Sequence, residues 1–439
     1  MRMTHFLQRA AFLVALALAG GPAQAQAQTP QPGFVRVQGQ QFTLDGHPYR
    51  YIGANYWYGG LLATQGKAGQ KRLRKELNFL KKKGVTNLRV MVGAEGLSHG
   101  YQYRVLQPLQ TAPGQFDENI MAGLDYLLAE LARRDMKAVL HFTNTWEWSG
   151  GLGQYLEWNG YNGQPLPKNP DYDWNKYQAY IAQFYTCELC KNQVDTYVRY
   201  VLGRTNSRTG TKYVDDPAIM AWEIINEPRP MGAAAVPAFE AWMKQVAALV
   251  KSVDKNHLLT TGSEGDIATD NDMGVYQRLH ADPNIDYLTI HIWPKNWGWF
   301  RDTATAHSLP GVLSKTTAYV DKHAAVAATL RKPLVVEEFG LPRDGQVFAP
   351  AASTTLRDKY YATLFGLMTA GGTSASQTLA GYNFWSFSGT ARPVPGQVFW
   401  KAGDAYLGDP GGEEQGLNSV FDSDKSTWKL IKSFGKTLK

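Results

Sequence analysis

The most constraining feature of this sequence is a nearly uninterrupted apolar stretch, residues 218–225, that ends abruptly in Asn226-Glu227-Pro228. A strand buried on both faces has this composition, and such strands occur in parallel sheets that are covered by helices. A second stretch of the same form, residues 333–338, ends in Glu337-Glu338. Each stretch therefore predicts a buried parallel strand that delivers a glutamate at its carboxyl end.

Strand and helix patterns alternate eight times along the chain, which predicts an α/β fold of the (β/α)8 TIM-barrel type. An antiparallel hairpin over residues 34–51 precedes the barrel and is expected to close its base. Long loops follow the third and eighth strands, at 144–172 and 388–423. The predicted strands are 50–55, 86–92, 137–143, 218–227, 257–262, 286–293, 333–338 and 381–387, with Glu227 ending the fourth and Glu338 the seventh.

The N-terminal residues have the pattern of a secretory signal peptide. Arg2 and Arg9 supply positive charge, an apolar run covers 10–19, and small residues near Ala25 resemble a cleavage site. We therefore predict a signal peptide at 1–27, a flexible lead-in at 28–33, and a single catalytic domain at 34–439. Such a chain would be secreted, to the periplasm or beyond the cell, and no later stretch resembles a transmembrane segment.

The charge and the aromatic content point to different partners. The net charge is +7 and falls to about +5 without Arg2 and Arg9, and the basic residues lie on helix-like segments without a nucleic-acid motif. A nucleic-acid or membrane-surface partner is therefore disfavoured. Aromatic residues are 12% of the chain, with 13 tryptophans, many of which lie beside Gly, Asn and Pro in predicted loops. Exposed aromatic rings of this kind are typical of a small-molecule or saccharide site.

Cys187 and Cys190 are the only cysteines and are separated by two residues. In an exported chain this spacing favours a local disulfide. Two free thiols, or a metal or redox site, remain as alternatives, although no second pair of ligands accompanies the motif.

Strands 4 and 7 face each other across an eight-stranded barrel, so Glu227 and Glu338 are expected to point into one cleft. Retaining glycosidases use two carboxyl groups about 5 to 5.5 Å apart, one as acid/base and one as nucleophile, and facing strand ends can supply that separation. The alternative is that both are surface glutamates in turns.

Several separated motifs resemble glycoside hydrolase family 5, and the finer ones are similar to its β-mannanase subfamily. The resemblance covers about residues 34–438 and implies a barrel enzyme that cleaves β-1,4-mannosidic linkages with retention of configuration. The expected substrates are mannan-type polysaccharides or manno-oligosaccharides. No cofactor or metal is expected, and the expected oligomeric state is a monomer. The motifs are Gly53-Ala54-Asn55-Tyr56-Trp57-Tyr58-Gly59, Trp146-Glu147-Trp148-Ser149-Gly150-Gly151, Trp222-Glu223-Ile224-Ile225-Asn226-Glu227-Pro228-Arg229, His291-Ile292-Trp293-Pro294-Lys295-Asn296-Trp297, Val336-Glu337-Glu338-Phe339-Gly340, and Gly408-Asp409-Pro410 leading to Gln415-Gly416-Leu417.

Carried over position by position, the resemblance implies that Glu227 is the acid/base and Glu338 the nucleophile. Glu337 is the rival nucleophile within its own strand. Alternation along a strand sends neighbouring side chains to opposite sides, so only one of the two glutamates can face the cleft. The family motif places the nucleophile directly before Phe-Gly, which favours Glu338.

The resemblance also assigns residues that assist the two glutamates. Asn226 would donate to the sugar 2-hydroxyl, and Arg89 would keep the nucleophile ionised, because a nearby cation lowers a carboxyl pKa. His291 matches a histidine of strand 6 with an active-site role. Trp385 matches the tryptophan of strand 8 that supports the sugar beside the scissile bond. Further candidates for substrate contact are Trp57, Trp146, Trp293 and Trp297.

The chain departs from the family pattern at Trp293, where many members carry Tyr. An indole N–H can donate a hydrogen bond but cannot accept one, which leaves the tuning of Glu338 open. The alternatives to an endo-acting mannanase are an exo-acting β-mannosidase, a β-1,4-glucanase, and a non-catalytic carbohydrate-binding protein. The last is disfavoured because both glutamates remain.

Overall fold

The structure is a computed structural model that describes residues 32–96, 101–300 and 305–438. The predicted signal peptide and residues 28–31 of the lead-in lie outside the described residues. Within the described ranges, no helix is long and apolar enough to cross a membrane.

Eight parallel strands form one sheet and confirm the predicted barrel. In spatial order they run β5-β4-β3-β2-β1-β8-β7-β6. Backbone hydrogen bonds join the two end strands, from Asp286 N–H to the Leu259 carbonyl (2.8 Å) and from His291 N–H to the Glu264 carbonyl (3.0 Å). The strands are β1 Tyr51–Asn55, β2 Asn87–Met91, β3 Lys137–Asn144, β4 Ile219–Asn226, β5 Leu258–Thr260, β6 Leu288–Ile292, β7 Leu334–Phe339 and β8 Leu379–Phe384.

Eight helices cover the outside of the sheet, each placed after the strand of the same number. Their apolar residues recur at helical spacing, and α1 buries Leu73, Leu77 and Leu80 before it ends at Gly84, whose left-handed φ of 89° few other residues adopt readily. The helices are α1 Gly66–Lys83, α2 Glu118–Ala132, α3 Glu188–Leu202, α4 Val236–Val253, α5 Met273–His280, α6 Thr305–Leu330, α7 Thr355–Thr369 and α8 Lys425–Thr437. Shorter helices are Gly59–Thr64, Gly151–Trp158, Trp174–Ala182 and Ser374–Thr378.

The N-terminal hairpin predicted for 34–51 is a three-stranded antiparallel sheet, of strands Val35–Gln38, Gln41–Leu44 and His47–Tyr49. Asp45 and Gly46, which the sequence indicates as turn-forming residues, both have positive φ (51° and 80°) and form the second turn, so the stretch contains three strands where a hairpin has two. Val35 and Phe42 of this sheet pack in one cluster with Tyr51, Tyr287 and Val335 from the barrel. The small sheet therefore covers the base of the barrel, as the sequence predicts.

The loops after β3 and β8 are long, as predicted, and both are ordered by internal contacts. In the loop after β8, the Asp409 carboxylate accepts hydrogen bonds from Gly416 N–H (2.9 Å), Asn418 N–H (3.2 Å) and the Ser419 hydroxyl (2.5 Å). A buried carboxylate that satisfies three donors in this way holds a loop in one conformation. Both loops rise from the carboxyl ends of the strands and form the mouth of the barrel.

Cys187 and Cys190 form a disulfide at the start of α3, which confirms that prediction over free thiols or a metal site. Both residues are buried, and Cys190 lies beside Asn159, which follows the Gly151–Trp158 helix. The bond therefore fixes the entry of α3 beneath the loop that follows β3.

Removal of this disulfide should lower the free energy of unfolding by about 2 kcal/mol, because the closed ring holds few residues and constrains the unfolded chain little. Guanidinium denaturation of the Cys187→Ser/Cys190→Ser double variant measures the change. Reduced wild-type protein is the matched control and should unfold at the same midpoint as the variant. A variant as stable as the oxidised protein would contradict the prediction.

Candidate active site

A cleft of about 750 Å³ opens at the carboxyl ends of the strands. It contains most of the predicted site residues, because parallel strands of a barrel end at one mouth. The residues that line it are Tyr101, Trp146, Glu147, Trp148, Pro167, Lys168, Tyr172, Trp174, Asn226, Glu227, Arg229, Glu264, Ile267, Trp293, Asn296, Trp297, Gly298, Glu338, Trp385, Pro410, Gly412 and Glu413.

Glu227 stands at the floor of the cleft, directly after β4. Its backbone has a left-handed φ of 55°, which is uncommon for a residue other than glycine, and its N–H donates to the Gly262 carbonyl (3.0 Å). Its carboxylate accepts a hydrogen bond from the Trp146 indole N–H, and its Oε1 lies 2.8 Å from His291 Nδ1. The left-handed turn at the end of β4 therefore directs the Glu227 carboxyl group across the mouth of the barrel.

Glu338 lies opposite, near the end of β7. Its Oε1 accepts a hydrogen bond from Arg89 Nη1, and its Oε2 lies 3.2 Å from the Trp293 indole nitrogen, which donates to it. The pairing of β6 with β7 shifts register between Ile290 and His291, so that His291 lies opposite Glu338. The indole of Trp293 therefore donates a hydrogen bond to the Glu338 carboxylate.

Glu338, and not Glu337, faces the cleft. The family motif favoured the residue that lines the cleft, but strict alternation does not hold, because Glu337 does not point away to the helix layer. It is fully buried in the barrel interior, with Oε2 at 3.8 Å from Arg89 Nε and 3.9 Å from His291 Nε2.

Arg89 is buried beneath the cleft and holds three of its walls together. Its Nε (2.8 Å) and Nη2 (2.5 Å) both donate to Glu223, and Nη2 also donates to Asn226 Oδ1 (2.6 Å). Its Nη1 donates to Asn55 Oδ1 (3.1 Å) and to Glu338. The predicted contact between Arg89 and Glu338 is therefore present, within a wider network that links β1, β2, β4 and β7.

Burial raises the pKa of both Glu227 and Glu338, because a carboxylate loses solvation in the barrel. At Glu338 the Arg89 guanidinium opposes this effect and favours the ionised form. At Glu227 the Arg229 guanidinium likewise opposes the effect of burial, although the hydrogen bonds to this carboxyl group come from neutral donors. Burial also lowers the pKa of His291 to about 4, which leaves its ring neutral at neutral pH.

The two carboxyl groups are close. One ligand atom each from Glu227, His291 and Glu338 lie within 4.8 Å of one another. A divalent cation could in principle be held by such a trio, but Arg89 already neutralises Glu338 and the His291 Nδ1 is used by Glu227. The arrangement therefore fits a carboxyl pair with its own cation better than a metal centre.

Aromatic residues form the rest of the floor and one wall. Trp385 packs edge-on against Trp293 (ring centroids 5.7 Å apart), and both are largely buried. On the other side, the Arg229 guanidinium lies 5.1 Å from the centroid of Trp146, which stacks on Tyr177 (6.0 Å). Trp297 lines the cleft farther along the same mouth.

Trp57, a predicted candidate for substrate contact, is not brought into the cleft. Its indole N–H donates to the Gly408 carbonyl (2.8 Å), and its ring packs against Trp148 (5.6 Å) and Tyr406 (5.7 Å). It is not among the residues that line the cleft, because the loop after β8 covers it. Its role in the described structure is to support Trp148 from below.

Sequence reasoning missed several residues of the site, and some of them had a usable signal. Glu223 lies four positions before Glu227 in one strand, so strict alternation places both on the barrel interior. Glu264 follows β5 as Glu227 follows β4, and it forms a bidentate ion pair with Arg229 (2.6 and 2.8 Å). Glu413 and Lys168 come from loops and had no such signal.

Comparison with known proteins agrees with this geometry. The sequence profile of the family described as GH family 5 beta-mannosidase-like matches residues 32–439. The mannan endo-1,4-beta-mannosidase 1 of Oryza sativa subsp. japonica is 32% identical over 436 residues, which cover 95% of this chain and 89% of that protein.

Two solved structures from Rhizomucor miehei share the fold to different degrees. The glycoside hydrolase family 5 mannosidase has a TM-score of 0.81 and 32% identity, covering 92% of this chain and 97% of that one. The endo-1,4-beta-mannanase has a TM-score of 0.66 and 25% identity, covering 92% and 99%. The chain therefore belongs to glycoside hydrolase family 5, in its β-mannosidase-like group, and is a glycoside hydrolase.

Proposed function

We propose that this protein hydrolyses β-1,4-mannosidic linkages with retention of configuration, using Glu227 as acid/base and Glu338 as nucleophile. The observation that carries the proposal is the separation of the two carboxyl groups. One oxygen of each group lies within 4.8 Å of one oxygen of the other. This close approach fits a retaining enzyme, whose carboxyl groups are about 5 to 5.5 Å apart, better than an inverting enzyme, which leaves room for a water between them.

The reaction proceeds in two displacements. The Glu338 carboxylate attacks the anomeric carbon while Glu227 gives its proton to the glycosidic oxygen, so the C–O bond breaks and the leaving sugar departs as an alcohol. A mannosyl ester of Glu338 remains. Glu227, now ionised, takes a proton from a water that attacks the same carbon and releases Glu338.

The surroundings of the pair suit this chemistry. Asn226 donates one amide hydrogen to Asn144 Oδ1 (3.0 Å) and accepts from Arg89, which leaves its second amide hydrogen for the sugar 2-hydroxyl. Trp385 offers a ring face to the apolar C–H groups of the sugar. The choice of mannose rests on the names of the relatives, which are mannan endo-1,4-beta-mannosidases and mannosidases.

A second candidate is exo action, the removal of single sugars from a chain end. Lys168 of the loop after β3 lies 4.5 Å from the ring centroid of Phe399 in the loop after β8, and Tyr103 of the loop after β2 packs edge-on against the same ring (5.3 Å). The strands β2 and β1 lie between β3 and β8 in the barrel. The contact between the loops after β3 and β8 therefore passes above the ends of β2 and β1 and forms a wall on that side of the mouth.

Product analysis on linear β-1,4-mannan and reduced mannohexaose tests both candidates. If the wall closes one end of the cleft, mannose is released stepwise and the viscosity of mannan falls slowly. A spread of oligosaccharides with a rapid fall in viscosity would establish endo action instead. Activity on carboxymethyl-cellulose alone would overturn the mannan assignment.

The two glutamates should respond differently to the leaving group. We expect Glu227→Ala to lower kcat/KM on β-1,4-mannobiose by about 10²- to 10⁴-fold, and much less on 2,4-dinitrophenyl β-mannoside, whose leaving group needs no proton. Glu338→Ala should abolish both activities. Glu413→Gln, at another carboxyl group of the cleft, is the control and should keep the wild-type ratio of the two. Undiminished activity of Glu338→Ala would refute the mechanism. The expected absence of a metal requirement is tested separately, by measuring the rate of the wild-type enzyme in EDTA, which should be unchanged.

Trp293 should influence the acid limb of the pH profile. Its N–H favours the ionised form of Glu338, so Trp293→Phe should raise the pKa of that carboxyl group and move the acid limb of kcat/KM to higher pH. Trp293→Tyr differs from the Phe variant by one hydroxyl, which can donate, and should move the limb less. Superimposable acid limbs for the two variants would show that no hydrogen bond to Glu338 matters here.

Export from the cytoplasm, with residues 1–27 as signal peptide and 34–439 as one catalytic domain, is also part of the proposal. The Cys187–Cys190 disulfide supports it, because such bonds persist in oxidising compartments. Identification of the N-terminal residue of the exported protein tests it. A monomer in solution remains a prediction for size-exclusion measurement.

A further inference from the structure

Glu337 is a buried carboxyl group that the two-step reaction does not use. Its relative exposure is 0%, and neither carboxyl oxygen has a hydrogen-bond partner among the described residues. A buried polar group without a partner is costly, and a buried carboxylate more so. This position therefore needs a physical account.

Arg89, the nearest cation, cannot supply the missing partner. A guanidinium has five N–H groups, and here two are donated to Glu223 and one each to Asn226, Asn55 and Glu338. Glu337 lies 3.8 Å from Nε, whose hydrogen is already given to Glu223. One guanidinium thus faces three carboxyl groups and bonds only two of them.

The proton among these carboxyl groups is therefore best placed on Glu337. Glu223 holds a bidentate ion pair, and Glu338 must be ionised to attack. Burial raises the pKa of Glu337, and the charge of Glu223 raises it further. A neutral carboxylic acid then needs an acceptor for its O–H.

His291 offers that acceptor. Its Nδ1 lies 2.8 Å from Glu227 Oε1, while its Nε2 is buried, has no partner in the part of the chain that the structure describes, and lies 3.9 Å from Glu337 Oε2. A shift of about 1 Å brings the two orphaned atoms to hydrogen-bond distance. The buried hydroxyls of Tyr51 and Tyr287, also without partners among these residues, are near enough to Glu337 to interact with it electrostatically.

We propose that Glu337 is a positioning residue, a neutral acid that donates its O–H to His291 Nε2 and so fixes the tautomer in which His291 Nδ1–H donates to Glu227. The proposal rests on the proposed role of Glu227 as acid/base.

This tautomer decides where the Glu227 proton can go. Trp146 N–H and His291 Nδ1–H both donate to the Glu227 carboxyl group, so neither can accept its proton, which is left for the glycosidic oxygen. In the other tautomer, Nδ1 carries a lone pair and accepts that proton. The acid would then be held back from the leaving group.

Other titratable groups face Glu337 or His291 from every neighbouring strand. Of the carboxyl groups in the described residues, Glu337 is the one that lies within 4.0 Å of His291 Nε2. The other titratable groups are Tyr51 on β1, Arg89 on β2, His141 on β3, Glu223 on β4 with Glu227 after it, Glu264 after β5, Tyr287 before β6 and Glu338 on β7.

Two substitutions at Glu337 test the proposal. Glu337→Gln keeps a neutral donor of the same shape, and we expect kcat/KM within about threefold of wild type with an unchanged alkaline limb.

Glu337→Met removes the donor. We expect it to lose about tenfold more activity on β-1,4-mannobiose than on 2,4-dinitrophenyl β-mannoside, because only the first needs the Glu227 proton. Its alkaline limb should move to higher pH, since a bond to Nδ1 stabilises protonated Glu227.

Two results would overturn the proposal. A downward shift of the alkaline limb in Glu337→Gln would mean that an ionised Glu337 had been removed. Equal losses on both substrates in Glu337→Met, with an unmoved limb, would mean a structural role only. If Glu337→Met does not fold, infrared difference spectra decide. In the difference spectrum of wild type minus Glu337→Gln, the carbonyl stretch of a protonated carboxyl group should appear in addition to any stretch from Glu227, and its absence would refute the assignment.

Glu227→Ala separates failure of this inference from failure of the proposed function. If Glu227→Ala discriminates between the two substrates and Glu337→Met does not, the inference alone fails. If Glu227→Ala shows no discrimination, the proposed acid/base role itself fails.

Discussion

The guanidinium of Arg89 is the interaction on which the rest of this site depends. It is 2% exposed and bonds side chains from β1, β4 and β7 at once. Burying a charge is unfavourable unless every donor finds a partner, and here every N–H does. The hydrogen bonds that pair the N–H groups of Arg89 also hold the side chains of Asn226 and Glu338 in place. The network that stabilises the barrel interior therefore also positions the site. Loss of a single partner would leave the cation incompletely paired inside the barrel.

A consequence is that the upper barrel interior is polar where many barrels are filled with branched aliphatic side chains. Burying Glu223 and Glu337 in this layer costs stability, which must be offset elsewhere. The lower layer supplies part of the offset: Val35 and Phe42 of the N-terminal sheet pack with Tyr51 and Val335 and exclude water from the base. The small sheet therefore also contributes to the electrostatics of the site. It keeps water out of the barrel interior, where the interactions of Arg89 with the buried carboxyl groups are strong.

The sequence predicted the parts of the structure that periodicity and strand order determine. Eight strands, their order and the position of the two glutamates at strand ends follow from apolar runs that end in polar residues. The choice of Glu338 over Glu337 comes from the family motif, because alternation does not say which of the two faces the cleft. The N-terminal sheet was predicted as a hairpin and has three strands, because both turn-forming sites, Gly39 and Asp45-Gly46, reverse the chain. Trp57 shows a different limit. The motif around Trp57 is that of a site residue. Whether its ring is exposed to the cleft depends on the loop after β8, which contributes Gly408 and Tyr406 to its surroundings. The sequence near Trp57 does not indicate where that distant loop packs.

The loop after β3 contributes to the chemistry as well as to the shape of the cleft. Trp146 belongs to this loop, yet its N–H bonds Glu227, and its ring carries the Arg229 guanidinium, which favours the ionised form of the same carboxyl group. Any change that moves this loop to admit a different sugar therefore also alters the proton affinity of the acid/base. The loop after β8, in contrast, contacts neither Glu227 nor Glu338 through a hydrogen bond in the described structure. Substrate range can thus change through the loop after β8 with less effect on catalysis than through the loop after β3.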